Sequence, residues 1–102
     1  MLYATGIKMC AGKESCCDTQ HIYQIFIQDN DGALKEGSRY YSREGIHDYL
    51  VERPNSIRVN IGPDYPYCEP RVSSNGVKYV RSQPNDSPHD NLLKLPGGPY
   101  NP

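Results

Sequence analysis

The run His21-Ile22-Tyr23-Gln24-Ile25-Phe26-Ile27-Gln28 constrains this chain more than any other stretch. It is rich in β-branched and aromatic residues, which fit a pleated surface better than a helix. Alternation places Tyr23, Ile25 and Ile27 on one face and Ile22 and Phe26 on the other, so both faces call for a cover. A strand of that kind belongs in the middle of a sheet. Residues 3–9 have weaker β character and supply its antiparallel neighbour across the loop Ala11-Gly12-Lys13-Glu14-Ser15.

The remaining elements follow from local signals. Asp29-Asn30-Asp31-Gly32 is a tight turn, because its residues tolerate the positive φ that such turns demand. A calcium loop would need further carboxylates at fixed spacing and a closing glutamate, which the sequence lacks. Ser42 caps a helix that starts at Arg43, with Glu44 favourably placed in its first turn. Ile46, Tyr49 and Leu50 form its apolar stripe, and Pro54 ends it near Arg53. Ile57, Val59 and Ile61 alternate with Arg58 and Asn60, as in a half-buried strand. The segment from Gly62 to Tyr67 is too proline-rich for a central strand and reads as a loop or edge. Arg71-Val72 and Val77-Lys78-Tyr79-Val80-Arg81 flank Ser73-Ser74-Asn75-Gly76, a hairpin signal. The expectation is an α+β fold: a small antiparallel sheet of four to five strands with one short helix packed on it, in ββαββ order. Residues 1–96 form one domain, and residues 97–102 are expected to be a mobile tail.

Composition narrows the function. At 102 residues the chain fits one small domain with little core to spare for a deep active site. Eleven basic and twelve acidic side chains leave a net charge of −1, so bulk DNA or RNA is not an expected partner. A hydrophobic share of 36% beside nine tyrosines, nine glycines and nine prolines points to support from a homo-oligomer or from ordered loops. No stretch approaches 18 apolar residues and the first twenty show no leader pattern, so the expected setting is soluble and cytoplasmic, away from membranes.

Cys10, Cys16, Cys17 and Cys68 are then expected to be reduced thiols. A zinc site from Cys10, Cys16 or Cys17, His21 and Cys68 is the alternative, although Cys-x5-Cys-Cys-x3-His lacks the Cys-x2-Cys knuckle of structural sites. His21, His47 and His89 form no known catalytic spacing, and no nucleophile elbow, phosphate loop or His-Glu-x-x-His occurs. No catalytic residue and no cofactor are expected. If there were hydrolytic chemistry, His89 and Asp90 would be the pair to carry it.

The more informative signal is arginine in company with tyrosine. Arg39, Tyr40 and Tyr41 precede the helix, Arg58 lies on a polar strand face, and Arg71, Tyr79 and Arg81 lie on the closing hairpin, with Asn91 just beyond. A guanidinium grips phosphate through two bonds, while a phenol stacks on a base and reaches a ribose or phosphate. The competing explanation is structural: tyrosines favour strands, arginine stems cover neighbours, and Arg81 with Asp90 or Asn91 pins the C-terminal loop.

Tyr79-Val80-Arg81-Ser82-Gln83-Pro84-Asn85, followed by Asp90-Asn91-Leu92-Leu93-Lys94-Leu95-Pro96, resembles the ending of the domain-of-unknown-function family DUF3892. Ser82 stands where threonine is usual in that family, and the loop at Cys16-Cys17 has no counterpart there. The resemblance supports the fold and implies a bacterial or bacteriophage setting, so a host cytoplasm if phage-encoded; it carries no activity. The expected function is a non-catalytic module binding a small anionic ligand, for instance a sponge that sequesters a nucleotide-type signal in a pocket shared between subunits, by analogy with small phage proteins of that kind. The alternative is a protein-interaction adaptor that uses Tyr65-Pro66-Tyr67 and the tail.

Overall fold

The computed structural model describes residues 1–16, 18–83 and 90–100. The strands β1 (Leu2–Met9), β2 (Ile22–Asp29) and β3 (Arg39–Ser42) precede the helix α1 (Arg43–Glu52). The strands β4 (Ile57–Val59), β5 (Cys68–Val72) and β6 (Lys78–Ser82) follow it. Short 3-10 turns occupy Thr19–His21 and Asn91–Lys94. The α+β expectation holds, and the strands divide into a four-stranded sheet in the order β3-β2-β1-β4 and a separate β5-β6 hairpin. The four-stranded sheet is mixed: β1 runs antiparallel to β2 but parallel to β4. A single antiparallel sheet is thus replaced by a mixed sheet, parallel at β1-β4 because the α1 crossover returns the chain to β1 in its own direction, and by a separate hairpin.

β2 is an interior strand, as its composition requires, but its alternation is interrupted. Lys8 opposes Gln24 while Met9 opposes Ile22, which leaves Tyr23 as an extra residue on β2; Ala4 opposes Ile27 while Gly6 opposes Phe26, which leaves Thr5 extra on β1. Each bulge resets the phase of its strand. Ile22 therefore turns inward with Ile25 and Ile27, and Tyr23 is 54% exposed instead of sharing their face. Ala4 and Ile7 both point inward for the same reason.

The core gathers Leu2, Ile7, Ile25 and Ile27 from the sheet, Ile46 and Leu50 from α1, Val80 from the hairpin, and Leu92, Leu93 and Leu95 from the C-terminal turn. Each fully buried aliphatic side chain contributes about 1.5–3 kcal/mol. Ser42 caps α1 by accepting a hydrogen bond from the Gly45 amide at 3.1 Å. At the far end the Arg53 amide donates to the Tyr49 carbonyl, and Asn55 adopts a positive φ of 58° after Pro54. Asp48 on α1 accepts from Lys78 Nζ of β6 at 3.0 Å and from the His47 ring, and these bonds hold its carboxyl below the usual range.

The segment expected to be a loose tail is folded against the body as far as Tyr100. The Ile7 amide donates to the Pro96 carbonyl, which extends the edge of β1 beyond the end of β4. Gly97 has φ +92°, and a Cβ there would lie 1.9 Å from the Ile7 carbonyl oxygen. At Gly98 the same atom would lie 2.4 Å from the Leu93 oxygen. The Tyr100 amide then bonds back to Leu93, and its ring packs on the core. The glycine pair permits this approach; a side chain at either position would block it.

Candidate functional site

With the core on one side, the sheet register defines the other. Tyr3 opposes both Gln28 and Arg58, Phe26 opposes both Gly6 and Tyr40, and Gln24 opposes both Lys8 and Ser42. Residues directly opposite in a sheet share a face. All nine therefore lie on the outer face, and no carboxylate is among them.

Four contacts organise this face. Phe26 and Tyr40 meet edge to face at 5.2 Å, and Lys8 Nζ stands 4.3 Å above the Tyr40 ring. Tyr3 meets Tyr65 at 6.4 Å. Arg58 lies 4.5 Å over the Tyr67 ring and donates from one terminal nitrogen to the Tyr67 hydroxyl at 2.8 Å, a bond that favours its charged form. Its Nε is buried and has no partner among the described residues. The Tyr65-Pro66-Tyr67 loop thus covers one end of the outer face.

At the other end lies a groove of about 680 Å³, lined by Lys8, Cys10, Glu14, Tyr23, Gln24 and Arg43 among others. The β2 bulge is what turns Tyr23 outward into it. Arg43 is tied down, donating to the Gln20 carbonyl at 2.6 Å and to Glu44 at 2.9 Å, with Cys10 Sγ 3.7 Å away. Glu14 accepts from the Gly12 amide. Lys8 is the exposed cation that joins groove to face.

The eight residues singled out in the sequence do not converge within one chain. Tyr40 and Arg58 share the outer face, at opposite ends. Arg39 and Tyr41 point to the inner side of the β3 edge, where Arg39 pairs with Glu36 at 2.6 Å and the Tyr41 hydroxyl donates to the Gly37 carbonyl at 2.5 Å. Arg71, Tyr79 and Arg81 share one face of the hairpin with Glu69, which accepts from Arg81 at 2.5 Å. Asn91 is buried, its side-chain oxygen accepting from Lys94. Tyr3, Lys8, Phe26 and Tyr23 were missed, because the two bulges and the pairing of β3 decide which face they occupy. The signal available in the sequence was an acid-free set of alternate positions, visible only once the register is known.

The residues of the C-terminal signature form a clasp. Asp90 accepts from the Ser82 amide at 3.1 Å, the Ser82 hydroxyl at 3.0 Å and the Leu92 amide at 2.9 Å, capping the last 3-10 turn. The Asn91 amide donates to Ser82 Oγ at 3.2 Å. Burial pushes the Asp90 carboxyl above its ordinary value, against the pull of those bonds. Cys68, opposite Ser82, is fully enclosed, and burial pushes its thiol far up, which leaves it protonated and a poor metal ligand. Among the described residues no three His, Cys, Asp or Glu side chains gather as a metal site. Cys17 and His89 lie outside the described residues, and with them part of the zinc set and the His89–Asp90 pair. No helix among the described residues is long and apolar enough to cross a membrane.

No curated protein and no solved structure matches the chain. A family model described as "Protein of unknown function (DUF3892)" matches residues 33–96, a span that opens in the loop before β3 and ends with the clasp. Since that span is well over half of the 102 residues, the chain belongs to the DUF3892 family.

Proposed function

We propose that this chain is a non-catalytic binding protein for a small anionic ligand with a planar ring, of nucleotide type, held on the outer face of the four-stranded sheet. One observation carries the reading: a face without carboxylates presents Phe26, Tyr40 and Lys8 beside a groove of nucleotide size. A base stacks on such rings with a contribution of about 1–3 kcal/mol, whatever its identity. Lys8 would then exchange its ring contact for a phosphate, and Gln24 and Tyr23 supply hydrogen bonds at the groove.

The test is a thermal-shift screen of the intact protein against mono-, di- and cyclic nucleotides. A ligand at about 100 times its Kd adds roughly 2.7 kcal/mol of stability. The expected result is a shift with at least one nucleotide that Lys8→Glu abolishes. Stoichiometry from calorimetry then tells whether two subunits share one ligand. No shift with any nucleotide, or a shift indifferent to Lys8, overturns the reading.

A further inference from the structure

We propose that a second cavity, on the inner side of β3, binds a small carboxylic acid with an apolar body, such as an aryl acid or a short alkanoate. This site is separate from the outer face and does not rest on nucleotide binding there. The cavity measures about 210 Å³ and is walled by Ile27, Leu34, Tyr41, Ile46, Tyr49 and Ile57. It exists because Gly45, in the first turn of α1, brings no side chain to its wall, and because the loop after β2 is held off the helix. Asp29 fixes that loop by accepting from the amides of Ala33 at 3.0 Å and Leu34 at 2.7 Å, which leaves Leu34 as the roof.

The wall dictates the body of the ligand. Its side chains are aliphatic apart from two tyrosines, and the Tyr41 hydroxyl is already committed to the Gly37 carbonyl. A polar group placed inside would lose its water without replacement. An apolar cavity of about 150 Å³ is enough to stay dry and take up benzene, so this one has room for a ring or short chain and a few further atoms.

Charge dictates the head. Arg39 stands 5.8 Å from the Tyr41 ring and Arg53 stands 4.9 Å from the Tyr49 ring, so both tyrosines of the wall carry a guanidinium. Their carboxylate partners, Glu36 and Glu52, are exposed surface residues, and Arg53 meets Glu52 at only 3.4 Å. Exposed pairs of this kind contribute little and exchange readily. A carboxylate beside these tyrosine rings takes their place with one or both arginines while its apolar end fills the cavity.

The experiment is an amide-resolved NMR titration of the intact protein with benzoate, hexanoate and toluene. Both acids are expected to shift the amides of Leu34, Gly45 and Tyr49 saturably and to leave those of Lys8 and Phe26 in place. Replacing both arginines, Arg39→Ala with Arg53→Ala, is expected to weaken benzoate about tenfold and leave toluene unchanged. Ile46→Phe, which fills the space, is expected to abolish both; if that variant fails to fold, the arginine pair alone decides. Absence of saturable shifts, or equal affinity for toluene and benzoate that ignores the arginines, overturns the proposal. Nucleotides report on the outer face, so either proposal can fail without the other.

Discussion

The clasp and the outer sheet face are built from similar residue types and put them to opposite use. In the clasp the polar groups pair within the chain: Ser82 and Asp90 satisfy one another and the start of the last turn, Arg81 meets Glu69, and Gln83 reaches Asn55. On the outer face Lys8 stands over the Tyr40 ring, and the Arg58 Nε is buried without an acceptor among the described residues. Buried polar groups are nearly always paired, so Arg58 Nε, with Ser56 Oγ, departs from the rule that the clasp follows. The family match covers the two unequally. Residues 33–96 include the clasp and, from the outer face, Tyr40, Ser42 and Arg58, whereas Tyr3, Lys8 and Phe26 precede the matched span. The signature therefore records how the fold is closed.

Four experiments break or sharpen this contrast. The largest effect is expected at Gly97, where a side chain collides with the Ile7 carbonyl and φ is positive. Gly97→Ala should cost about 3 kcal/mol or more in urea denaturation. A loss below about 1 kcal/mol would mean that the C-terminal segment is not docked as described. Ser82→Ala comes next, at about 2–3 kcal/mol, since it strands the Asn91 amide and removes a bond to Asp90. Ser82→Thr keeps the hydroxyl and should recover most of that loss; if threonine is no better than alanine, the hydrogen bonds are not what matters.

Asp90 gives a pH dependence of defined sign. Its folded carboxyl titrates above the ordinary value of 3.8, mainly because it is buried. The folded chain thus holds that proton more tightly than the unfolded one. The resulting stability is complete below 3.8 and disappears as pH rises through the folded value. Asp90→Asn has no such proton, so its stability relative to wild type should improve as pH rises from 3.8 through the folded value. Parallel stability curves would show that burial of this carboxylate is not felt. The smallest effect on folding is expected on the outer face: Lys8→Glu and Tyr40→Ala should change stability by about 0.5 and 1 kcal/mol or less, yet remove any nucleotide-induced shift. If either destabilises as strongly as Ser82→Ala, the face is part of the scaffold and the contrast fails.

Much of the fold was legible because its signals are local. The Ser42 cap, the stop at Pro54, the Asn75-Gly76 hairpin and the inward return of Leu92, Leu93 and Leu95 depend on residues a few positions apart. What escaped depends on distant parts of the chain. β3 forms on Arg39–Ser42 because β2 offers it an edge, and the parallel pairing of β1 with β4 follows from the crossover, neither of which alternation encodes. The bulges at Thr5 and Tyr23 shift strand phase by one residue, which exchanges inside for outside. That single-residue shift explains why Tyr23 was assigned to the buried face. The arginine–tyrosine set failed to converge for a related reason: those residues sit on three separate surfaces, and three of the four arginines already hold a neighbour.

The bond from Ile7 to Pro96 joins almost the first element of the chain to almost the last. Chain closure over such a span is slow, because its entropic cost falls due before the contact repays it. During synthesis the free margin of β1 must therefore wait, open to misplaced strands, until the final turn emerges. A domain fastened in this way is completed only by the arrival of the segment around Pro96, and truncation just upstream of Leu92 would leave a sticky intermediate in place of a shorter domain.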